Sequence, residues 1–287
     1  MDVFNPDLLK GRTALITGGG TGLGLSIARR FAALGANLVL CGRRQVVLDE
    51  AAAGLRAAGG TGHVDVLACD LRKPEAVTAM MDTIWKRAPL DILVNNAAAS
   101  FIAQSHHLSH RAADAILGVT LHGTLYCTLE AGRRWIETDR PGVVLSILST
   151  STITGRAFTM PSAVAKSGVL AMTRSLAVEW GPRNIRLVAI APGSFPTAGA
   201  QQQLNPAARR AGAKTAPLGR VGEHGELADL AAFLVSDAAA YMTGEMVVLD
   251  GGAHLRSSGA EDLLGWTDQQ WAEHRDALAR PRPDNPR

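Results

Sequence analysis

The chain has 287 residues, 47% of them apolar, and a formal net charge of +3; that length suits one large α/β domain with a full core. Basic residues are scattered apart from Arg-Arg pairs at 29–30, 43–44, 133–134 and 209–210, so nucleic-acid binding is not indicated. No apolar run reaches the roughly 18 residues of a bilayer span, no signal-peptide pattern opens the chain, and the three cysteines lack CxxC spacing, so a cytoplasmic protein with reduced core thiols is expected.

A short β-prone run, Thr13–Thr17, leads into Gly18-Gly-Gly-Thr-Gly-Leu-Gly24. The spacing of Leu23, Ile27, Phe31 and Leu34 then predicts a helix that stops at Gly35. Between a strand and a helix, glycines let the backbone bend and approach a pyrophosphate, which rests at the helix N-terminus. Gly18, Thr21, Gly22, Leu23 and Gly24 are therefore candidate cofactor-binding residues. The next strand, 37–41, ends Cys41-Gly42-Arg43-Arg44. A site for NAD usually carries an acid there for the ribose 2′-hydroxyl. Two guanidiniums suit a 2′-phosphate instead, so NADP(H) is the expected cofactor.

Strand and helix continue to alternate. A helix is predicted over 45–58, then a strand over 63–69 closed by Asp70-Leu71, a candidate contact for the adenine edge. A helix over 74–87 has proline in its first turn. A strand over 90–94 ends in Asn95-Asn96, and a long helix over 111–137 precedes a strand over 143–148. The helix from Ser162 to Trp180 is followed by a strand over 185–190, the turn Pro192-Gly193, a helix near 226–235 and a strand over 246–249. This order predicts an α/β fold over residues 1–256, a single-domain, doubly wound parallel sheet of Rossmann type. Residues 257–287 read as a short C-terminal helical appendage. Leu263, Leu264, Trp266 and Trp271 would be its docking side chains, and the Pro-rich stretch 280–287 would be disordered.

The helix from Ser162 holds a hydroxyl and an ammonium, Ser162 and Lys166, four residues apart and so on one face. Lys166 lies among small apolar residues, where its charge needs a partner. Because this helix is small or apolar almost all round, it is expected to be buried on two sides, against the sheet and against a second copy. A homo-oligomer, dimer or tetramer, follows. The cluster His106, His107, His110 has no acidic or cysteine partner at ligand spacing; it reads as loop surface, and no metal is expected.

Taken together, Thr17-Gly18-(xxx)-Gly22-x-Gly24, Asn95-Asn96-Ala97-Ala98, Ser149, Lys166, Pro192-Gly193 and Asp250-Gly251-Gly252 resemble the short-chain dehydrogenase/reductase family in order and spacing. The resemblance covers about residues 10 to 253. It adds Asn96, Lys166, Pro192, Gly193, Ser194, Phe195 and Thr197 to the cofactor-binding candidates, and Ser149 to the catalytic ones. Most members of that family have a tyrosine four residues before the lysine, whose phenol an adjacent ammonium makes acidic enough to protonate an alkoxide. Here that position is Ser162. The chain's two tyrosines, Tyr126 and Tyr241, lack that spacing to Lys166. The longer gap of the enoyl-ACP reductases falls on Thr159, and the family's active-site asparagine falls on Thr120.

The 2,4-dienoyl-CoA reductases lack that tyrosine by rule, and the local match to them is close. It includes Pro161-Ser-Ala-x-Ala-Lys166, Ser175-Leu-Ala-x-Glu-Trp-Gly181, Phe101-Ile102, Thr197-x-Gly-Ala200 and the trailing Thr-x-x-Gln-Trp at 267–271. Hydride delivered to a conjugated thioester leaves negative charge on the thioester oxygen, which needs hydrogen-bond donors and not necessarily a proton. Ser162, with Lys166 behind it, would serve, and Arg72 and Phe101 would help hold an acyl-CoA. A separate acid must protonate carbon. The tyrosine that does so in the mitochondrial type corresponds to Ser151, its partner asparagine to His122, and the peroxisomal aspartate to Thr120. His122, through its pKa, or a water on Ser151 would take that role. Three readings stay open: an NADPH-dependent enoyl- or dienoyl-thioester reductase, a reductase of another conjugated carbonyl, and a catalytically degenerate cofactor-binding protein.

Overall fold

The computed structural model describes residues 4–59, 62–197, 216–256, 263 and 265–279. Seven strands form one sheet: β1 (Thr13–Thr17), β2 (Asn37–Gly42), β3 (Val64–Ala68), β4 (Ile92–Asn95), β5 (Gly142–Ile147), β6 (Ile185–Pro192) and β7 (Met246–Leu249). All pairings are parallel, in the order β3-β2-β1-β4-β5-β6-β7. The chain builds outward from β1 to β3, then returns to the other side of β1 with β4. That reversal opens a crevice at the carboxyl ends of β1 and β4, where ligands bind in sheets of this kind.

Both faces of the sheet are covered, as expected for strands that read as nearly continuous apolar runs. The period of two divides them: Ala14 and Ile16 enter one core with Leu38 and Leu40, whereas Leu15 enters the other with Val39 and Cys41. The first core is closed by α1 (Gly22–Ala33), α2 (Gln45–Ala57) and α8 (His224–Val235). The second is closed by α3 (Pro74–Arg87), α5 (Gly123–Glu137) and part of α7 (Met160–Trp180). Trp180 of α7 lies against Gly132 of α5, where a Cβ would stand 2.3 Å from the indole. A doubly wound parallel sheet is the fold.

Several boundaries differ from expectation. The central helix begins at Met160, two residues early, because Pro161 suits a first helical turn. The long helix expected over 111–137 is α4 (His110–Leu117), a π-helical turn Gly118–His122, and α5. Gly123 shows why the backbone runs tight here, since a Cβ on it would be 2.8 Å from Cβ of Leu71. A short helix α6 (Ser151–Thr154) follows β5. On α7 the inner face is buried, and Val164 and Val178 on the outer face are 51% and 82% exposed.

In the tail, α9 (Asp268–Ala279) is helical, and Trp266 and Trp271 pack on each other with ring centres 4.9 Å apart. Leu263 is half-buried. Leu264, the stretch 280–287, residues 198–200 of the Thr197-x-Gly-Ala200 match and the pair 209–210 lie outside the described residues. Among the described residues, no helix is long and apolar enough to cross a membrane, and no cluster of His, Cys, Asp and Glu could hold a metal ion.

Candidate active site

The crevice between β1 and β4 is a cavity of about 440 Å³. Thr17, at the end of β1, fixes its floor. Its hydroxyl donates to the carbonyl of Val94 at 3.2 Å and accepts from the amides of Asn96 and Ala97 at 3.0 and 3.1 Å. The Asn96 amide reaches back to the carbonyls of Thr17 at 2.9 Å and Gly18 at 3.3 Å. That packing leaves no room at Gly24, where a Cβ would be 2.5 Å from both Asn96 Nδ2 and the Gly18 carbonyl oxygen. Gly22 adopts φ +55°, a left-handed conformation that favours glycine. The amides at the start of α1 are thereby turned toward the cavity.

Of the predicted cofactor residues, Gly18, Thr21, Gly22, Leu23, Arg43, Arg44, Asp70, Leu71, Asn96, Lys166, Pro192 and Thr197 line this cavity. The remaining four do not. Gly24 is packed beneath Asn96. Gly193 abuts Asp250, with Cβ to Cβ at 2.5 Å were a side chain present. Ser194 is exposed and its carbonyl accepts from the amide of Gly222 at 2.9 Å. Phe195 turns into the first core and covers Gly222. The sequence reading missed Val47, Leu48 and Val119 as cavity residues. Their apolar character alone carries no signal that separates cavity lining from core.

Charge is distributed unevenly along the cavity. At one end Arg43 and Arg44 are exposed, and neither guanidinium makes a hydrogen bond or ion pair among the described residues. Asp70 is bound by Arg72 at 2.9 and 2.5 Å, and this pairing holds its carboxyl down at about 2. Arg72, expected on the substrate, is therefore engaged by Asp70. Its stem also runs over Gly118, at the start of the π-helical turn.

At the other end stands Lys166, 7% exposed, whose Nζ donates to the carbonyl of Ile147 at the end of β5. Burial pushes its ammonium down to about 8. Ser162 lies one turn earlier on α7 and is half-buried. Next to Leu148, which lines the cavity, Ser149 accepts from Ser151 Oγ at 3.1 Å. Ser151 is buried, and its proton is used in that bond. The Ser149 proton is left for another acceptor.

The other proposed proton carriers stand elsewhere. Thr120 is fully buried and ties the loop after β4 in place. Its Oγ1 accepts from the Ala99 amide at 3.0 Å and donates to the Ala99 carbonyl at 3.4 Å. His122 is exposed, outside the cavity lining, with its ring 6.2 Å from that of Tyr126. Phe101 is half-buried and also outside that lining. The loop that carries it pairs with the segment before α7 through Ala103 N and the Phe158 carbonyl at 3.0 Å. Phe158 is held at φ +65° with its ring 55% exposed.

The family model described as "Enoyl-(Acyl carrier protein) reductase" matches residues 18–254, from the first glycine of the turn to the end of the sheet. The chain belongs to the short-chain dehydrogenase/reductase family. An uncharacterized oxidoreductase of Caenorhabditis elegans, F53C11.3, is 40% identical over 277 residues, which are 93% of this chain and 88% of that one. A protein of the same organism named probable 2,4-dienoyl-CoA reductase 3 is 38% identical over 280 residues, 94% of this chain and 90% of that one. Among solved structures, a putative 2-deoxy-d-gluconate 3-dehydrogenase from Agrobacterium tumefaciens with bound NADP is similar at a TM-score of 0.80. It is 34% identical, and the match covers 88% of this chain and 100% of that one. This short-chain dehydrogenase/reductase thus has a crevice at the carboxyl ends of β1 and β4 with Lys166 in its lining, and a serine one helical turn before that lysine.

Proposed function

We propose that this chain reduces a conjugated acyl-CoA thioester, of the 2,4-dienoyl or enoyl type, with NADPH. The observation that carries the reading is a buried Lys166 in the lining of the cavity, with Ser162 one helical turn before it and outside that lining. The cavity fits the cofactor. The glycine turn offers backbone amides to a pyrophosphate, and Arg43 and Arg44 stand ready for a 2′-phosphate where NAD sites have an acid. Bound NADPH supplies the hydride.

The chain's own groups then stabilise charge. Lys166, as an ammonium, has two N–H donors beyond the one given to Ile147, and these suit ribose hydroxyls. Ser162 and Ser149 supply O–H donors for a thioester oxygen as negative charge develops on it. Donors fixed in place before the reaction stabilise that charge without reorganising. An aliphatic hydroxyl is a poor acid but an adequate donor, which fits enolate formation better than alkoxide protonation. With Ser151 held against Ser149, a water on this hydroxyl pair is the proposed proton source for carbon, in place of the outward-facing His122. Relatives named 2,4-dienoyl-CoA reductases support the substrate class.

A second reading has its own support. Besides Lys166, the charged residues that line the cavity are Arg43, Arg44 and Asp70, at its far end. A cofactor-binding protein without turnover would look the same. Purified protein should oxidise NADPH in the presence of a 2,4-dienoyl-CoA, and Lys166→Ala should abolish this. Tight NADPH binding with no turnover on dienoyl-, enoyl- or ketoacyl-thioesters would replace the first reading by the second.

Two further assignments belong here. The exposed Val164 and Val178 stripe on α7 supports a homo-oligomer, which light scattering at micromolar concentration tests. Buried free Cys41, Cys69 and Cys127 suit a reducing compartment. The cytoplasm is the proposed location, and cell fractionation tests it.

A further inference from the structure

His224 is the first residue of α8, far in sequence from both walls of the cofactor cavity, yet its imidazole joins them. Nε2 lies 2.8 Å from the carbonyl oxygen of Pro196, in the loop after β6. Nδ1 lies 2.9 Å from Oγ of Ser26, in the first turns of α1. Ser26 in turn donates to the carbonyl of Gly22 at 3.1 Å. The residue after Pro196 is Thr197, whose methyl carbon stands 3.3 Å from where a Cβ of Gly22 would be. Gly22 and Thr197 both line the cavity. One side chain therefore ties the glycine turn, on the β1 side, to the strip of chain that faces it from the β6 side.

The proton inventory shows how the ring is held. A carbonyl oxygen only accepts, so Nε2 carries a hydrogen. In the neutral ring Nδ1 is then an acceptor, and the single Ser26 proton can turn to it. The Gly22 carbonyl is not orphaned by that turn, because the helix already supplies it with the amide four residues on. In the protonated ring Nδ1 donates to Ser26 Oγ, and the Ser26 proton goes to Gly22. Both states satisfy every group, so the link does not depend on the charge of the ring.

Other ties act nearby: Arg30 of α1 pairs with Asp229 of α8 at 2.6 Å, and the two helices share the first core, but these lie further along the helices than the cavity. The amide of Gly222 donates to Ser194 at 2.9 Å, and Phe195 packs on Gly222, which fixes the loop to the start of α8. The capping box of Glu223 and Glu226 fixes that start itself, with Glu223 N donating to Glu226 at 2.8 Å. His224 hydrogen-bonds both the loop after β6 and the first turns of α1. We propose that His224, through Ser26 and Pro196, is a positioning residue for the dinucleotide: it sets the gap between the glycine turn and Thr197 and thereby raises cofactor affinity.

This rests on the dinucleotide cavity of the proposed function, but not on its substrate. The test therefore measures binding without any thioester. NADP⁺ and NAD⁺ are titrated by calorimetry into the full chain as wild type, His224→Phe, His224→Gln, Ser26→Ala and the Ser26→Ala/His224→Phe double variant. Hydrogen exchange of the unliganded proteins is followed at 22–26 and 194–197. Phenylalanine keeps a ring and removes both hydrogen bonds, while glutamine offers one donor and one acceptor.

Dissociation constants are expected to rise about tenfold in His224→Phe, the size of one or two net hydrogen bonds. They should recover toward wild type in His224→Gln, and the double variant should be no worse than His224→Phe. Exchange should quicken in both segments. Constants within twofold of wild type in both His224→Phe and Ser26→Ala would overturn the proposal, even if the melting temperature fell, since a purely structural role moves only the latter. If His224→Phe does not fold, Ser26→Ala, which removes a single hydroxyl, decides on the same criterion. A wild type that prefers NAD⁺ would refute the NADP assignment and leave this measurement intact on NAD⁺. A wild type that binds neither would overturn both.

Discussion

Lys166 Nζ donates to the carbonyl of Ile147, so the ammonium of α7 is anchored to the last residue of β5. Burial lowers its pKa to about 8, whereas an unfolded lysine titrates near about 10.4. Between those values the unfolded chain keeps a proton that the folded chain has lost. The penalty from this group is therefore full below about pH 8 and is relieved as pH rises through that window. Lys166→Met should leave the melting temperature at pH 7 equal to or above that of wild type while abolishing NADPH oxidation. A marked loss of stability would show that the ammonium is needed for folding. In the wild type, dinucleotide affinity should weaken above pH 8, as the donor to the ribose loses a proton.

In the proposed function, Arg43 and Arg44 are the residues that would discriminate between the two nicotinamide cofactors. Neither guanidinium makes a hydrogen bond or ion pair among the described residues, although the charge of Arg43 is felt by Asp70, so each can still reach a 2′-phosphate as a charge-assisted partner. Arg43→Ala and Arg44→Ala should each raise the NADP⁺ dissociation constant by about tenfold or more and leave that of NAD⁺ within about twofold. The NADP⁺ effect should shrink in high salt, because both residues are exposed. Equal losses for both cofactors would place these arginines elsewhere than at the 2′-position.

Ser162 is assigned to the developing oxyanion. Removing one such donor typically costs about 100-fold or more in kcat. Ser162→Ala should therefore lower kcat by about that factor with a 2,4-dienoyl-CoA and leave NADPH binding unchanged. Calorimetry and steady-state rates on the same preparation separate the two. A variant with full rate would shift the role to Ser149.

The sheet was legible because its strands alternate in a way that only a two-faced core satisfies. Thr13–Thr17 and Met246–Leu249 coincide with prediction to the residue, as does Pro74–Arg87, where proline marks the start. The glycine turn was legible from its strand–helix context. The π-helical turn was not, since a period of 3.6 residues carries no mark of one extra residue in a turn. That turn shifts the phase of everything after it, and His122, at its end, faces outward beside Tyr126. Gly118 and Gly123, which flank His122's turn, were the trace of it. The Ser149–Ser151 hydroxyl pair is local but lies in a turn, where no helix or strand period operates, and the His224 link is tertiary, joining helices far apart in sequence.

Arg72 separates the expectation from the structure. Expected to help hold an acyl-CoA, Arg72 has its guanidinium paired with Asp70 at the end of the cavity that Arg43 and Arg44 line. Asp70, held at about 2 by this pairing, stays ionised with its oxygens directed by Arg72. Because its folded pKa is depressed, the stability it contributes is present above the unfolded value, near about 3.9, and is lost as pH falls toward 2. The exposed pair is weakened by solvent, so the loss should be small. Arg72→Ala should then raise the KM for NADPH and leave that for the thioester within about twofold, and Asp70→Asn should act in the same direction, since both changes free the carboxamide or carboxylate from the grip that orients it. If instead Arg72→Ala raises the thioester KM alone, Arg72 binds the substrate in the complex and its bond to Asp70 opens on the way there.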